Sequence, residues 1–313
     1  MATNSILNNK KDKLMTIATG YIGLGNIGKP MCSNLVKNRS KNGLQVYVYD
    51  VMADPIQEMV ELGAIATQSG REIAEKCTLI GLCVRNDDDI DNLFYGDNGI
   101  FANATKGTII AIHSTVTRDS ILRWGKDAEK YNVHVIDAPI TGGASGAADG
   151  SLCIMVGGDA SVIERAKPMF AGTSKAVVHA GDIGAGAVLK LANNMITYAA
   201  FTACSEAIAL IKHSGLEPDR LYEVGKANGV ITPSGQQFIS GREALLAGCT
   251  PEQMNEFFGP FAGLGEKDLD HALDLATQLN IELPATQKVR EGIRKTFLEG
   301  VTSTLNASTG APV

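Results

Sequence analysis

Basic residues are too few in this chain to clothe a nucleic acid. Lys and Arg number 28 against 34 Asp and Glu, a net charge of −6. That balance supplies no basic stripe for a phosphate backbone, although backbone amides can still hold a small anion. No Cys-x-x-Cys pair occurs among Cys32, Cys77, Cys83, Cys153, Cys204 and Cys249. Most of these lie between apolar neighbours, so buried free thiols in a reducing compartment are expected rather than a disulfide framework. No uninterrupted apolar run approaches the ~18 residues that span a bilayer. Lys10, Lys11 and Lys13 precede an apolar stretch at 14–24, but a glycine motif falls within and just after it, which argues against a signal peptide. The five histidines are scattered at no metal-ligand spacing, so no metal is expected. Low-complexity tracts are missing as well, and 44% hydrophobic with 20% charged residues is a globular composition. The expectation is a cytoplasmic protein with neither a nucleic-acid nor a membrane partner.

What the chain has is length, glycine and alternation. At ~150 residues per domain, 313 residues suggest two domains. Apolar, β-rich runs at 17–23, 44–49, 79–84, 108–112, 133–137, 152–156 and 176–179 alternate with amphipathic stretches such as 54–62 and 119–131. Alternation of this kind predicts an α/β fold, a mostly parallel sheet of Rossmann type with helices on both faces. Beyond His179 the pattern changes. Residues 185–213 form a helix apolar nearly all round, on the order of 40 Å long at ~1.5 Å per residue, and such a helix is expected to be buried on every side. The rest reads as helices broken by Pro218, Pro233, Pro260 and Pro284. The predicted organisation is a tail at 1–13, a Rossmann domain at 14–180, an all-α domain at 181–300 joined through the long buried helix, and a tail at 301–313.

The 34 glycines concentrate in particular loops. Gly23, Leu24, Gly25, Asn26, Ile27 and Gly28 spell G-x-G-x-x-G after the first strand, and Lys29-Pro30 opens a helix. Gly23 permits the tight turn, Gly25 lets a pyrophosphate approach, and Gly28 allows close helix–sheet contact. A helix N-terminus beyond them favours an anion. Asp50 lies 22 positions past Gly28, after the second strand, where an acid hydrogen-bonds the adenosine ribose. Its charge would repel a 2′-phosphate, so NAD is expected rather than NADP. The alternative is a plain strand–turn–helix with Asp50 as a loop cap.

A second glycine loop runs Asp137-Ala138-Pro139-Ile140-Thr141-Gly142-Gly143. Thr141, Gly142 and Gly143 offer a hydroxyl and open backbone N–H groups to a small carboxylate, or else form a structural turn. Lys190 is one cation among apolar residues near the start of the long helix, with Asn194 four positions on and therefore on the same face. Desolvation there lowers a lysine pKa from ~10.4, which would let Lys190 exchange a proton with a substrate hydroxyl. The alternative is a lysine snorkelling from a buried helix. Asp87-Asp88-Asp89-Ile90-Asp91 alternates like a calcium loop, but Asn92 and Asn98 stand where such a loop needs Gly and Glu. A solvated helix start is expected instead. His113 and Ser114, adjacent on a strand, point to opposite faces and make no catalytic pair.

These motifs together resemble the β-hydroxyacid dehydrogenases, typified by 3-hydroxyisobutyrate dehydrogenase and tartronate semialdehyde reductase. The likeness rests on the stretches 23–35, 137–158 and 184–194 and on Lys267-Asp268-Leu269. It implies that Lys190 is the catalytic acid/base and that Asn194 helps hold the substrate. It further implies that Thr141, Gly142 and Gly143 grip a carboxylate, that Thr115 lies near the nicotinamide and that Lys267 approaches the cofactor. A homodimer or homotetramer across the long helix is also implied. Three departures stand out: Thr141 for the usual Ser, Arg85 in place of a Leu-Pro pair, and Ile112 for an Asp. The implied activity is NAD-dependent oxidation of a small 3-hydroxy acid, or reduction of its semialdehyde. An imine reductase on the same fold and a non-catalytic dinucleotide-binding oligomer are the rivals, and Lys190 speaks against both.

Overall fold

A computed structural model describes residues 16–299; the expected tails at 1–13 and 301–313 lie outside them. The chain forms two compact units that part between Lys190 and Leu191, later than the boundary expected near Gly181. The first turns of the long helix belong with the sheet, as Ala187 shows by packing into a cluster with Ile80, Ile110 and Trp124.

The first unit begins β1 (Ile17–Ile22), α1 (Gly28–Lys37), α2 (Arg39–Asn42), β2 (Leu44–Tyr49), α3 (Ala53–Glu61), β3 (Ile65–Ala66), α4 (Gly70–Lys76) and β4 (Leu79–Leu82). It continues α5 (Asp87–Phe94), α6 (Ile100–Asn103), β5 (Ile109–Ile112), α7 (Arg118–Glu129) and β6 (His134–Asp137). β7 (Ile140–Thr141), α8 (Gly143–Asp149), β8 (Leu152–Gly157), α9 (Ala160–Phe170) and β9 (Ser174–Gly181) complete the sheet. The strand order is β3-β2-β1-β4-β5-β6-β8-β7, with β9 on β8. All pairs are parallel except β6–β8 and β7–β8. Every residue of β4 and β5 is buried, as central parallel strands covered on both faces must be. One apolar cluster fills each face: Met31, Leu35, Val46 and Val156 on one, Ile73, Phe94, Ile110 and Trp124 on the other. Asp87–Asp89 form the first turn of α5, capped by the Asn86 side chain.

The second unit takes the remainder of α10 (Ala185–His213), then α11 (Pro218–Asn228), α12 (Pro233–Leu246), α13 (Pro251–Gln278) and α14 (Pro284–Leu298). The last four each start with proline, whose missing N–H costs nothing in a first turn. The expected burial of α10 on every side is not found. Leu191, Asn194, Ser205 and Ile208 are buried, but Ile196 is 73% and Leu210 69% exposed. The chain itself covers one face of this helix, and an apolar circumference in sequence does not say what meets the rest. By length and composition alone α10 would also suffice to cross a bilayer, which a count of unbroken apolar residues misses because Lys190, Asn193 and Asn194 interrupt it. Met195, Tyr198, Phe201 and Cys204 pack into the core of the helical unit instead.

Candidate active site

The order β3-β2-β1-β4 places the glycine loop at the point where successive connections leave the sheet in opposite directions, the site at which open α/β sheets bind ligands. The three motif glycines are required for different reasons. A Cβ on Gly23 would lie 2.3 Å from the Cys83 carbonyl oxygen, and one on Gly28 2.0 Å from that of Gly23. Gly25 is exposed, and a Cβ there would meet nothing within 4 Å. The fold therefore demands the outer two, whereas the space over Gly25 is open to a ligand. Asn26 is exposed beside it, and Ile27 packs against the core and caps α1 without a side-chain hydrogen bond. Lys29 N–H already donates to the Gly25 carbonyl at 2.9 Å and Pro30 has no N–H, so an anion here would meet the Gly28 N–H and the positive end of the helix dipole.

Asp50 follows β2 and holds this loop: its carboxylate accepts from Leu24 N–H at 2.5 Å and from Met52 N–H at 2.8 Å. Asp50 thus caps the loop, and its half-buried carboxylate keeps lone pairs for a ribose. On the neighbouring strand ends, Ser114 clasps Val84 twice, donating to its carbonyl at 2.7 Å and accepting from its N–H at 2.9 Å. Thr115 is half-buried next to this clasp. Arg85 forks onto Asp89 at 2.7 and 2.8 Å. Beneath the loop, burial pushes the Cys83 thiol up to about 12, so it carries no thiolate chemistry.

The second glycine loop leaves β6 and is stitched into the sheet edge, with Ile140 opposite Ile154 and Thr141 opposite Cys153. Gly142 (φ 126°) and Gly143 (φ 66°) lie in conformations that favour glycine. Both are exposed at the start of α8, which has no side-chain cap. Asn34 of α1 ties the far end of α8, donating to the carbonyls of Ala147 and Ala148 at 2.8 and 3.0 Å. Asp137, fully buried, takes the N–H of Gly184 and of Ala187 on its two oxygens, each at 2.7 Å. Burial raises its pKa, and these backbone donors oppose the rise. Half-buried Lys190 follows Ala187 by three residues.

In the helical unit Asn194 is buried and donates to Asp268 at 2.7 Å, with Asn193 donating to the Asn194 oxygen at 3.2 Å. The Lys267 ammonium lies 3.5 Å from the other Asp268 oxygen. Tyr198 donates to Asp268 at 3.4 Å, and burial followed by that carboxylate pushes its phenol well above the usual range. The first unit thus carries Gly23 to Gly28, Asp50, Thr115, Thr141, Gly142, Gly143 and Lys190. The second carries Asn194 and Lys267, which meet at Asp268. Sequence reasoning assigned roles to neither Asp137 nor Asp268, although each stands inside a motif it singled out.

A parallel sheet with this glycine loop, an acid after β2 and open helix N-termini defines a dinucleotide-binding domain of the oxidoreductases. Residues 18–181 match the family described as the NAD binding domain of 6-phosphogluconate dehydrogenase. Residues 184–305 match that described as NAD-binding of NADP-dependent 3-hydroxyisobutyrate dehydrogenase. An uncharacterised oxidoreductase of Mycobacterium tuberculosis is 35% identical over 86% of this chain and 89% of its own. The 2-(hydroxymethyl)glutarate dehydrogenase of Eubacterium barkeri is 32% identical over 87% and 86%. In fold, the solved 3-hydroxyisobutyrate dehydrogenase of M. tuberculosis with L-serine matches at TM-score 0.74 and 23% identity, covering 91% of this chain and 95% of that one. The chain belongs to the β-hydroxyacid dehydrogenase family, and it is an oxidoreductase with an NAD(P)-binding domain.

Proposed function

We propose that the protein interconverts a small 3-hydroxy acid, of the 3-hydroxyisobutyrate kind, with its semialdehyde, using NAD. The observation that carries this reading is Asp137, which joins the loop of Thr141, Gly142 and Gly143 to the helix of Lys190 within one unit. Gly23 to Gly28 would cradle the pyrophosphate and Asp50 the adenosine ribose, with Thr115 toward the nicotinamide; Lys267 keeps the cofactor-approaching role that the family resemblance implies. When bound, that cofactor supplies the hydride acceptor for the alcohol or the donor for the aldehyde. The chain's own residues do the rest. Thr141 Oγ1 and the N–H groups of Gly142 and Gly143 bind the carboxylate, and Asn194 keeps the substrate-holding role that the family resemblance implies. Lys190 Nζ takes the hydroxyl proton during oxidation and returns it during reduction. Lys190→Ala should cut kcat by roughly 10²–10⁴, the usual contribution of a positioned acid/base, with NADH affinity nearly intact. Retention of more than about a tenth of kcat would refute the reading.

An imine reductase has no carboxylate to bind, so the loop of Thr141, Gly142 and Gly143 and the presence of Lys190 favour the hydroxy acid. The names of the relatives, a 2-(hydroxymethyl)glutarate and a 3-hydroxyisobutyrate dehydrogenase, share a carboxylate with a β-hydroxyl. NAD is favoured over NADP by Asp50 and by the lack of a basic residue at 51–54. A homodimer or homotetramer would cover Ile196 and Leu210. A cytoplasmic setting suits the thiols, none of which is paired among the described residues.

A further inference from the structure

We propose that Asp137 is a positioning residue that fixes Lys190 relative to the substrate loop, an inference that rests on the acid/base reading of Lys190. Asp137 is the last residue of β6 and 0% exposed, and it pairs with Gly157 across the antiparallel join to β8. Its Oδ1 accepts from Gly184 and its Oδ2 from Ala187. Gly184 immediately precedes α10 and Ala187 is in its first turn, where N–H groups lack partners inside the helix. The carboxylate is thus a cap supplied from 47 and 50 residues away, with the negative charge favoured at a helix N-terminus.

The surroundings are built around this carboxylate. A Cβ on Gly157 would fall 2.4 Å from Asp137 Oδ1, and one on Gly186 2.8 Å from Oδ2 and 2.5 Å from the Met155 carbonyl oxygen. Glycine at both places lets the helix start sit directly on the sheet. The main chain leaving Asp137 is held in turn: the Ala138 carbonyl is bonded to His113 Nδ1 at 2.9 Å, and that of Pro139 accepts Met155 N–H at 2.9 Å. Thr141 follows two residues later, already paired with β8. From Ala187 to Lys190 is just under one helical turn, a rise of ~4.5 Å. A single side chain therefore references both the carboxylate-binding loop and the base to the same strand end. Misplacement by ~1 Å can cost on the order of 10²-fold in rate.

Two oxygens meeting two N–H groups require a carboxylate. An amide would set its own N–H against one of them and release that half of the clamp. The experiment is a double-mutant cycle of Asp137→Asn and Lys190→Ala, with kcat and KM for the hydroxy acid and NADH affinity by fluorescence titration. Asp137→Asn alone should lower kcat at least ~10-fold, as a loosened base does, and change kcat more than KM. NADH affinity should stay within about twofold. In the Lys190→Ala background the same substitution should change kcat less than about twofold, because a misplaced base that is already gone costs nothing more. Equal losses in both backgrounds, or an unchanged kcat in the single variant, would overturn the positioning role alone. Near-wild-type kcat in Lys190→Ala refutes the acid/base reading and this proposal with it. Should Asp137→Asn fail to bind NADH, Asp137→Ser, smaller and still an acceptor, takes its place in the cycle. Loss of NADH binding in both would make Asp137 a folding residue and overturn the proposal.

Discussion

Asn194 points its amide nitrogen at Asp268, 2.7 Å away inside the helical unit, and this fixes which end of the amide is left for anything else. Its oxygen faces the other way, toward Asn193 Nδ2. Asp268→Asn would turn its NH2 toward either Asn194 or the Lys267 ammonium and in both cases weaken the anchor that holds Asn194. A hydrogen bond to a charged group contributes about 1.5–3 kcal/mol, so kcat/KM for the hydroxy acid should drop roughly tenfold to a hundredfold. Steady-state kinetics beside a thermal melt would check this; an unaltered kcat/KM in a folded variant speaks against any role for Asn194 in substrate binding.

Gly25 and Gly28 should respond to alanine in opposite ways. Nothing in the fold stands near a Cβ at Gly25, so Gly25→Ala should melt like the parent while NAD affinity falls by roughly tenfold or more, a penalty of at least about 1.4 kcal/mol. Gly28→Ala must push back the Gly23 carbonyl from 2.0 Å, and its melting temperature should fall as well. Unchanged NAD affinity in Gly25→Ala would remove the pyrophosphate from that loop.

The proposed preference for NAD rests on Asp50. A carboxylate facing a 2′-phosphate should cost several-fold to a few hundredfold in specificity. The ratio of kcat/KM for NAD and NADP measures it directly, and a preference for NADP would contradict the assignment.

His113 gives stability a pH dependence whose sign can be worked out. Burial lowers its pKa from 6.5 to about 4, its hydrogen bond to the Ala138 carbonyl opposing the fall. The unfolded chain therefore binds a proton between those values that the folded chain refuses. The contribution is fully present above pH 6.5 and is lost as pH falls toward 4, about 3 kcal/mol in all at 1.36 kcal/mol per pH unit. Urea midpoints between pH 7.5 and 4.5 should fall more steeply for the parent than for His113→Gln. Parallel curves would contradict a buried neutral imidazole.

Ile196 and Leu210 are apolar side chains of α10 that stand 73% and 69% exposed, and the oligomer proposed above would cover them. A two-fold partner is the commonest cover for such a face. Light scattering should find a dimer or tetramer at micromolar concentration, and Ile196→Asp should shift it toward monomer. A stable monomeric parent would refute the expectation.

Legibility tracked how local each determinant is. β4 and β5 show in the chain as unbroken apolar runs because parallel strands are buried on both faces, and β2 falls where its alternation puts it, at Leu44–Tyr49. β3 and β7 have two residues each, too short for any period, yet β7 is what fixes Thr141. The glycine loop is readable because its chemistry is contained in six residues. Asp137 looks like an ordinary polar residue ending a strand, and its partners Gly184 and Ala187 become visible only when distant segments meet. The sidedness of α10 was hidden for a different reason: an apolar circumference does not tell which of its residues the rest of the chain packs against.

Asn34 makes the nucleotide-binding helix a foundation for the loop that would receive the acid. Because it donates to both Ala147 and Ala148, the segment Gly143–Asp149 is not an interchangeable cassette. Grafting the corresponding segment of a relative into this chain would need a compatible residue at position 34. Thr141 differs, because its backbone is held by β8 and not by α1: a substitution there would alter the proposed grip on the acid without asking anything of position 34.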